Sequence, residues 1–137
     1  MRAAALVAVL VATVGCAAAK PIKPVRFPVS SSEVAYDAAL RAVVAEGFSA
    51  ETMERSAGVI QTNWREVPTT IVMRAFVSDP RSRIRLVVVI DSDVATVRSE
   101  AEFCSPYGCQ GVDGEAPETT ALVRRVARAI HTAKGGR

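Results

Sequence analysis

Histidine is nearly absent from this chain: His131 is the single one in 137 residues. It falls in a helical stretch among solvent-facing neighbours, which leaves no partner for general-base chemistry and too few ligands for zinc. No nucleophile elbow or metal-binding motif occurs. Asp91, Asp93 and the loop 110–115, QGVDGE, offer carboxylates without the ligand spacing of a calcium loop, and turn residues account for them. No catalytic residue, metal or cofactor is therefore expected. Long apolar runs are missing too: the longest, Ala3 to Val14, covers 12 residues, whereas a membrane-crossing helix needs roughly 20. Net charge is only +3, and the arginines are scattered along the chain, so no nucleic-acid surface is indicated.

What is present begins with a leader. Arg2 followed by the Ala/Val/Leu run and small residues is a secretory signal pattern. Two processing sites overlap behind it. Thr13-Val14-Gly15-Cys16 resembles the lipobox of bacterial lipoproteins, with Thr13 where an aliphatic residue is usual; it would leave Cys16 acylated as the new N-terminus. Ala17-Ala18-Ala19 is a competing A-x-A site that would release a soluble chain starting at Lys20. The preferred division is a signal peptide over 1–15, a lipid-anchored tether over 16–28 and one periplasmic domain over 29–137. The expected location is the periplasmic face of the outer membrane, with the soluble periplasm as the alternative. Three cysteines leave one unpaired in an oxidising compartment. Either site disposes of Cys16. Cys104 and Cys109 remain, with Pro106 and Gly108 favouring a tight turn between them, so a structural disulfide is expected.

The mature chain has the size of one domain. Ser30-Ser31-Ser32-Glu33 reads as a capping box with Ser30 as the cap. Tyr36, Ala39, Leu40, Val43 and Val44 follow at helical spacing, and Gly47 stands at a left-handed C-terminal position. The spacing predicts a helix over 31–46. Beyond it the period becomes two. A hairpin pairs Phe48 with Trp64, Ala50 with Thr62 and Thr52 with Ile60, with its turn at 55–58. Strands 69–77 and 83–91 are expected to pair next, Val77 opposite Ile84. A two-residue turn at Ser92-Asp93 then leads into 94–103. That last register places Ile84, Leu86, Val88 and Ile90 with Ala95, Val97, Ser99 and Ala101 on one face. On the other it sets Arg85 against Glu100 and Arg83 against Glu102.

With a short strand at 25–29 and a final helix from Pro117 to Ala133, the predicted order is β-α-β-β-β-β-β-α. This is an α+β domain, an antiparallel sheet with two helices packed on one face. The final helix presents Leu122, Val126, Ala129 and Ile130 to the core. The opposite sheet face carries Val72, Arg74, Phe76, Val87 and Val89, a candidate partner-binding surface.

The segment YDAALRAVVAEGF followed by ERSAGVIQTNW resembles the small α+β domain of proteobacterial envelope lipoproteins, and distantly the repeated domain of the BamC family, accessory lipoproteins of the machinery that folds outer-membrane β-barrels. The likeness covers about 35 residues. Its motif is structural, with Gly58 making the turn and Trp64 filling the core, and it carries no catalytic residue. The chain departs from BamC in having one domain rather than two and in its Cys104/Cys109 pair. The resemblance implies a non-catalytic module, anchored to a membrane by an N-terminal lipid, that binds an envelope protein partner. The alternative from the residues alone is a soluble periplasmic module holding a small apolar ligand.

Overall fold

The computed structural model describes residues 23–67, 81–111 and 117–133. The leader with Cys16, the strand expected at 69–77 with Val72, Arg74 and Phe76, and Gly135-Gly136 lie outside the described residues. The elements are β1 (Val25–Pro28), α1 (Ser32–Ala45), β2 (Ala50–Glu54), β3 (Val59–Thr62), β4 (Arg65–Val67), β5 (Arg81–Asp91), β6 (Val94–Ser105), β7 (Gly108–Gly111) and α2 (Pro117–His131). They form a seven-stranded antiparallel sheet in the order β1-β6-β5-β3-β2, with β4 also beside β5 and β7 beside β6. Both helices pack on one face of it and on each other, the expected α+β arrangement. β1 lies within the stretch assigned to the tether, so the sheet takes up four of those residues. Among the described residues no helix is long and apolar enough to cross a membrane.

Helix α1 starts one residue later than the serine run suggests. Ser31, in extended conformation, is the cap, and its side chain accepts from the Val34 amide at 3.4 Å. Three serines in a row offer three equivalent caps, and backbone geometry selects among them. At the other end Gly47, at φ 84°, reverses the chain. Its amide donates to the Val44 carbonyl and that of Phe48 to the Val43 carbonyl, a complete Schellman closure. Phe48 and Val43, which this closure brings together, are both buried. The buried stripe of α1 is rich in alanine, with Ala35, Ala38, Ala39 and Ala42 beside Tyr36 and Val43. Val44, expected inside, is 61% exposed.

β5 and β6 pair over eleven residues in the register that charge and apolar patterns select, with Arg83 opposite Glu102, Arg85 opposite Glu100, Leu86 opposite Ser99 and Ile90 opposite Ala95. Their helix-facing residues Leu86, Val88 and Val97 are fully buried, as is Ile60 of β3, each such side chain contributing roughly 1.5–3 kcal/mol. From α2 come Leu122, Val123, Val126, Ala127 and Ile130. Ala129 faces solvent, one position off the stripe read from the sequence. The hydroxyl of Ser99 is buried on this face without a partner.

The pairing expected between β5 and residues 71–77 is excluded by what β5 already holds on that edge. β5 already has β3 there, with Val59, Ile60 and Gln61 opposite Val89, Val88 and Val87, and β4, with Arg65 opposite Ile84. The β2–β3 hairpin also departs from simple alternation. Ala50 pairs with Thr62 as expected, but a bulge at Glu51 then puts Thr52 opposite Gln61 and Met53 opposite Ile60. Gly58 closes its turn at φ 67°. A Cβ added there would lie 2.0 Å from the Ile90 carbonyl oxygen, so only glycine fits.

Candidate functional site

Between β3 and β4 the chain spends one residue more than β5 does. Gln61 pairs with Val87 and Arg65 with Ile84, so Thr62, Asn63 and Trp64 run opposite only Arg85 and Leu86. The ladder is interrupted there, between the Val87 and Ile84 rungs, and the Leu86 amide turns to a side-chain acceptor. Thr62, fully buried, supplies one: its hydroxyl accepts from the Leu86 amide at 2.9 Å and donates to the Asn63 carbonyl at 3.1 Å. The extra residue also exchanges faces. Arg65 turns to the helix side, where its guanidinium lies 3.9 Å from the Phe48 ring centroid and donates to the Glu46 carbonyl at the end of α1. Trp64, expected in the core opposite Phe48, lies instead on the other sheet face, which is bare of helices among the described residues.

There it meets two arginines. The guanidinium carbons of Arg83 and Arg85 lie 4.8 and 4.6 Å from its ring centroid, the geometry in which a cation is attracted to an indole face. Both arginines are held from β6. Arg83 donates twice to one carboxylate oxygen of Glu102, at 2.8 and 2.6 Å, and Arg85 donates to Glu100 at 2.5 Å. Arg98 takes the other oxygen of Glu100, while Glu51 of β2 accepts from Gln61 at 3.2 Å and lies 4.0 Å from Arg85. Burial pushes the Glu100 carboxyl up, but the hydrogen bonds from Arg85 and Arg98 outweigh it and hold the group below the ordinary value of 4.5. On the helix side Glu46 is held low as well, chiefly by its hydrogen bonds from Arg125. The bare face is thus a set of interlocked ion pairs around one half-buried tryptophan.

Of the residues singled out for partner binding, Val87 is 3% exposed and offers no free apolar surface, while Val89 is half-buried. Val87 sits mid-sheet, with Gln61 and Arg98 at the neighbouring ladder positions. Long polar side chains shield such a neighbour with their aliphatic stems. Trp64 was missed because alternation from Ile60 and Thr62 carries it to the wrong face; only the bulge reveals it.

Cys104 and Cys109 face each other across the β6–β7 hairpin with their sulfurs at bonding distance, 2.07 Å. Glu102 lies beside them, but sulfurs bonded to each other are not available as metal ligands. His131 is exposed at the end of α2, its ring edge-on to Phe27 with centroids 5.7 Å apart. It borders a cleft of about 390 Å³ between the end of β1 and the start of α1, lined by Val29, Ser31, Val34 and Ile130 among others. Asp91 and Ser92 line a second, of about 350 Å³, with Tyr36 and Arg55. Asp91 ends β5 and Asp93 is the second residue of the two-residue β5–β6 turn.

The class these features define is a small α+β domain, one sheet face covered by two helices and the other studded with paired charges. Among solved structures the chain is similar to a DUF4468 family protein from Bacteroides ovatus ATCC 8483, at 12% identity over 85% of this chain and 88% of that one, with a TM-score of 0.43. No functional residue is carried over from it. No family model matches the chain, and no curated protein matches it.

Proposed function

We propose that this is a non-catalytic envelope lipoprotein, anchored through Cys16, whose periplasmic domain binds a protein partner on the bare face of its sheet, in the setting of outer-membrane assembly or maintenance. The observation that carries this is Trp64, set on the sheet face that no described helix covers, with two guanidinium groups fixed against its ring. Tryptophan and arginine are the residues that most often dominate interface energetics. Here the arginines are already oriented by Glu100 and Glu102, so a partner would find them ordered in advance and the entropic cost of binding would be reduced.

Photo-crosslinkers at Thr96 and Arg98, on this face, and at Arg41 and Arg124, on the outer helix surfaces, test the proposal in the native envelope. A discrete protein adduct from the first pair and none from the second is expected. Equal labelling from both faces, or none from either, rejects it. The intact mass of the membrane-fraction protein tests the anchor, since a chain starting at Lys20 would lack one. The cleft beside His131 favours a second reading, a small-ligand module. Native mass spectrometry without a co-purifying ligand would count against that reading.

A further inference from the structure

The eight residues from Cys104 to Gly111 carry no charge, in a chain of which 23% is charged. They form the end of the β6–β7 hairpin. Tyr107 at its tip is 98% exposed, and all of β7 is exposed. The tip is nonetheless ordered by covalent and local bonds. The Cys104–Cys109 bond clamps the strands, and the Tyr107 amide donates to the Ser105 hydroxyl at 3.2 Å. A charge-free turn presenting a phenol ring has the chemistry of the water–lipid boundary, where tyrosine places its ring among the headgroups and its hydroxyl in water.

The sheet topology says where that tip points. β1 is antiparallel to β6, with Val25 opposite Val97 and Pro28 opposite Val94. The chain therefore enters β1 from the end of the sheet toward which β6 runs, the end that bears the hairpin. From the level of Val97 to Ser105 is eight residues, about 27 Å of strand. From Cys16 to Val25 is nine residues, at most about 30 Å of chain. An anchor at Cys16 and the tip at Tyr107 can thus lie in one plane. The opposite end of the sheet presents Asp91 and Asp93, both exposed, which an anionic lipid surface repels.

We propose that the Pro106-Tyr107 tip is a membrane contact that seats in the headgroup layer of the bilayer holding the Cys16 lipid. This rests on the lipoprotein reading above. The sheet then stands upright on the membrane, its bare face turned sideways toward neighbouring envelope proteins.

Cys16 is the single cysteine outside the disulfide, which allows a direct test. Chain 16–137 is coupled through its thiol to a maleimide-headgroup lipid in phosphatidylethanolamine/phosphatidylglycerol vesicles. Tyr107→Trp in a Trp64→Phe background supplies the probe, and Ser92→Trp in the same background is the control for the far end. Bromine near the headgroup end of the acyl chains should quench the tip indole about twofold and leave the control unchanged. On the unsubstituted chain, amide exchange at Tyr107 to Gln110 should slow about tenfold on coupling to vesicles. Equal quenching at both ends, or no quenching and unchanged exchange, overturns the proposal. A crosslinker at Tyr107 that captures one envelope protein, with no lipid quenching, overturns it in favour of a protein contact. The native mass reads the anchor separately: an unacylated Cys16 removes the orientation even where the coupled tip is quenched.

Discussion

Thr62→Val gives the sharpest test of how the sheet is built. The substitution preserves shape and removes the hydroxyl, leaving the Leu86 amide, bonded at 2.9 Å to Thr62 in a fully buried setting, without an acceptor. The Asn63 carbonyl loses a donor as well, but Asn63 is exposed and water replaces it. The cost is that of one stranded buried donor, about 1–3 kcal/mol. For a domain of this size about 2 kcal/mol corresponds to a melting point roughly 8 °C lower. Thr62→Ser is the control. It keeps the hydroxyl and loses one methyl group, about 1 kcal/mol. Urea and thermal unfolding of the three proteins should therefore rank them wild type, Ser, Val. If Val equals or exceeds Ser in stability, the Thr62 hydroxyl is not completing the ladder across the bulge, and the account of why Trp64 changes face falls with it.

Gly58→Ala, which meets the Ile90 carbonyl and a positive φ together, should cost about 3 kcal/mol or more. Gly47→Ala also takes a positive φ but in space meets only the end of the Arg65 side chain, at 3.1 Å, and should cost about 1–2 kcal/mol; similar losses in chemical denaturation would refute the distinction. The lowered pKa of Glu100 implies stabilisation fully present above the unfolded carboxylate value and lost as pH falls through the lower folded one. Denaturation midpoints of wild type should thus drop more steeply between about pH 5 and 3 than those of Glu100→Gln, and parallel curves would argue against it. Reduction of Cys104–Cys109 should speed amide exchange in β7, which contributes nothing to the core, while global stability changes by no more than about 2 kcal/mol. A cooperative collapse on reduction would show that the hairpin is integral to the domain.

Much of this architecture was legible in the residues, for reasons that also mark where legibility stopped. The β5–β6 register could be read because two independent patterns agree on it: apolar residues at Ile84 to Ile90 and Ala95 to Ala101, and opposite charges at Arg83/Glu102 and Arg85/Glu100. The Gly47 closure and the Gly58 turn follow from conformations that only glycine takes up readily. Bulges leave no such mark. Nothing in Ala50-Glu51-Thr52-Met53 or Thr62-Asn63-Trp64 announces an extra residue, and each one inverts the facing of all that follows. β7 escaped notice because Gly-Cys-Gln-Gly has little strand propensity of its own, and its pairing comes from the turn and the sulfur bond. Val87 looked available because its face was taken to be open, whereas mid-sheet neighbours cover it.

β6 pairs with β5 along one edge and with β1 and β7 along the other, and this has a kinetic meaning. β5 lies next to it in sequence and closes a short loop; β1 must wait for a partner some 70 residues downstream. Loop closure of that length is slow relative to a hairpin. In a chain that emerges N-terminus first, the earliest strand to appear is therefore the last to dock. Pulse-labelled hydrogen exchange during refolding should find the amides of Val87 to Val97 protected before those of Val25 to Phe27. Until that docking, Val25 to Pro28 stay outside the sheet, and under the lipoprotein proposal the Cys16 anchor and the folding core are joined only by loose chain.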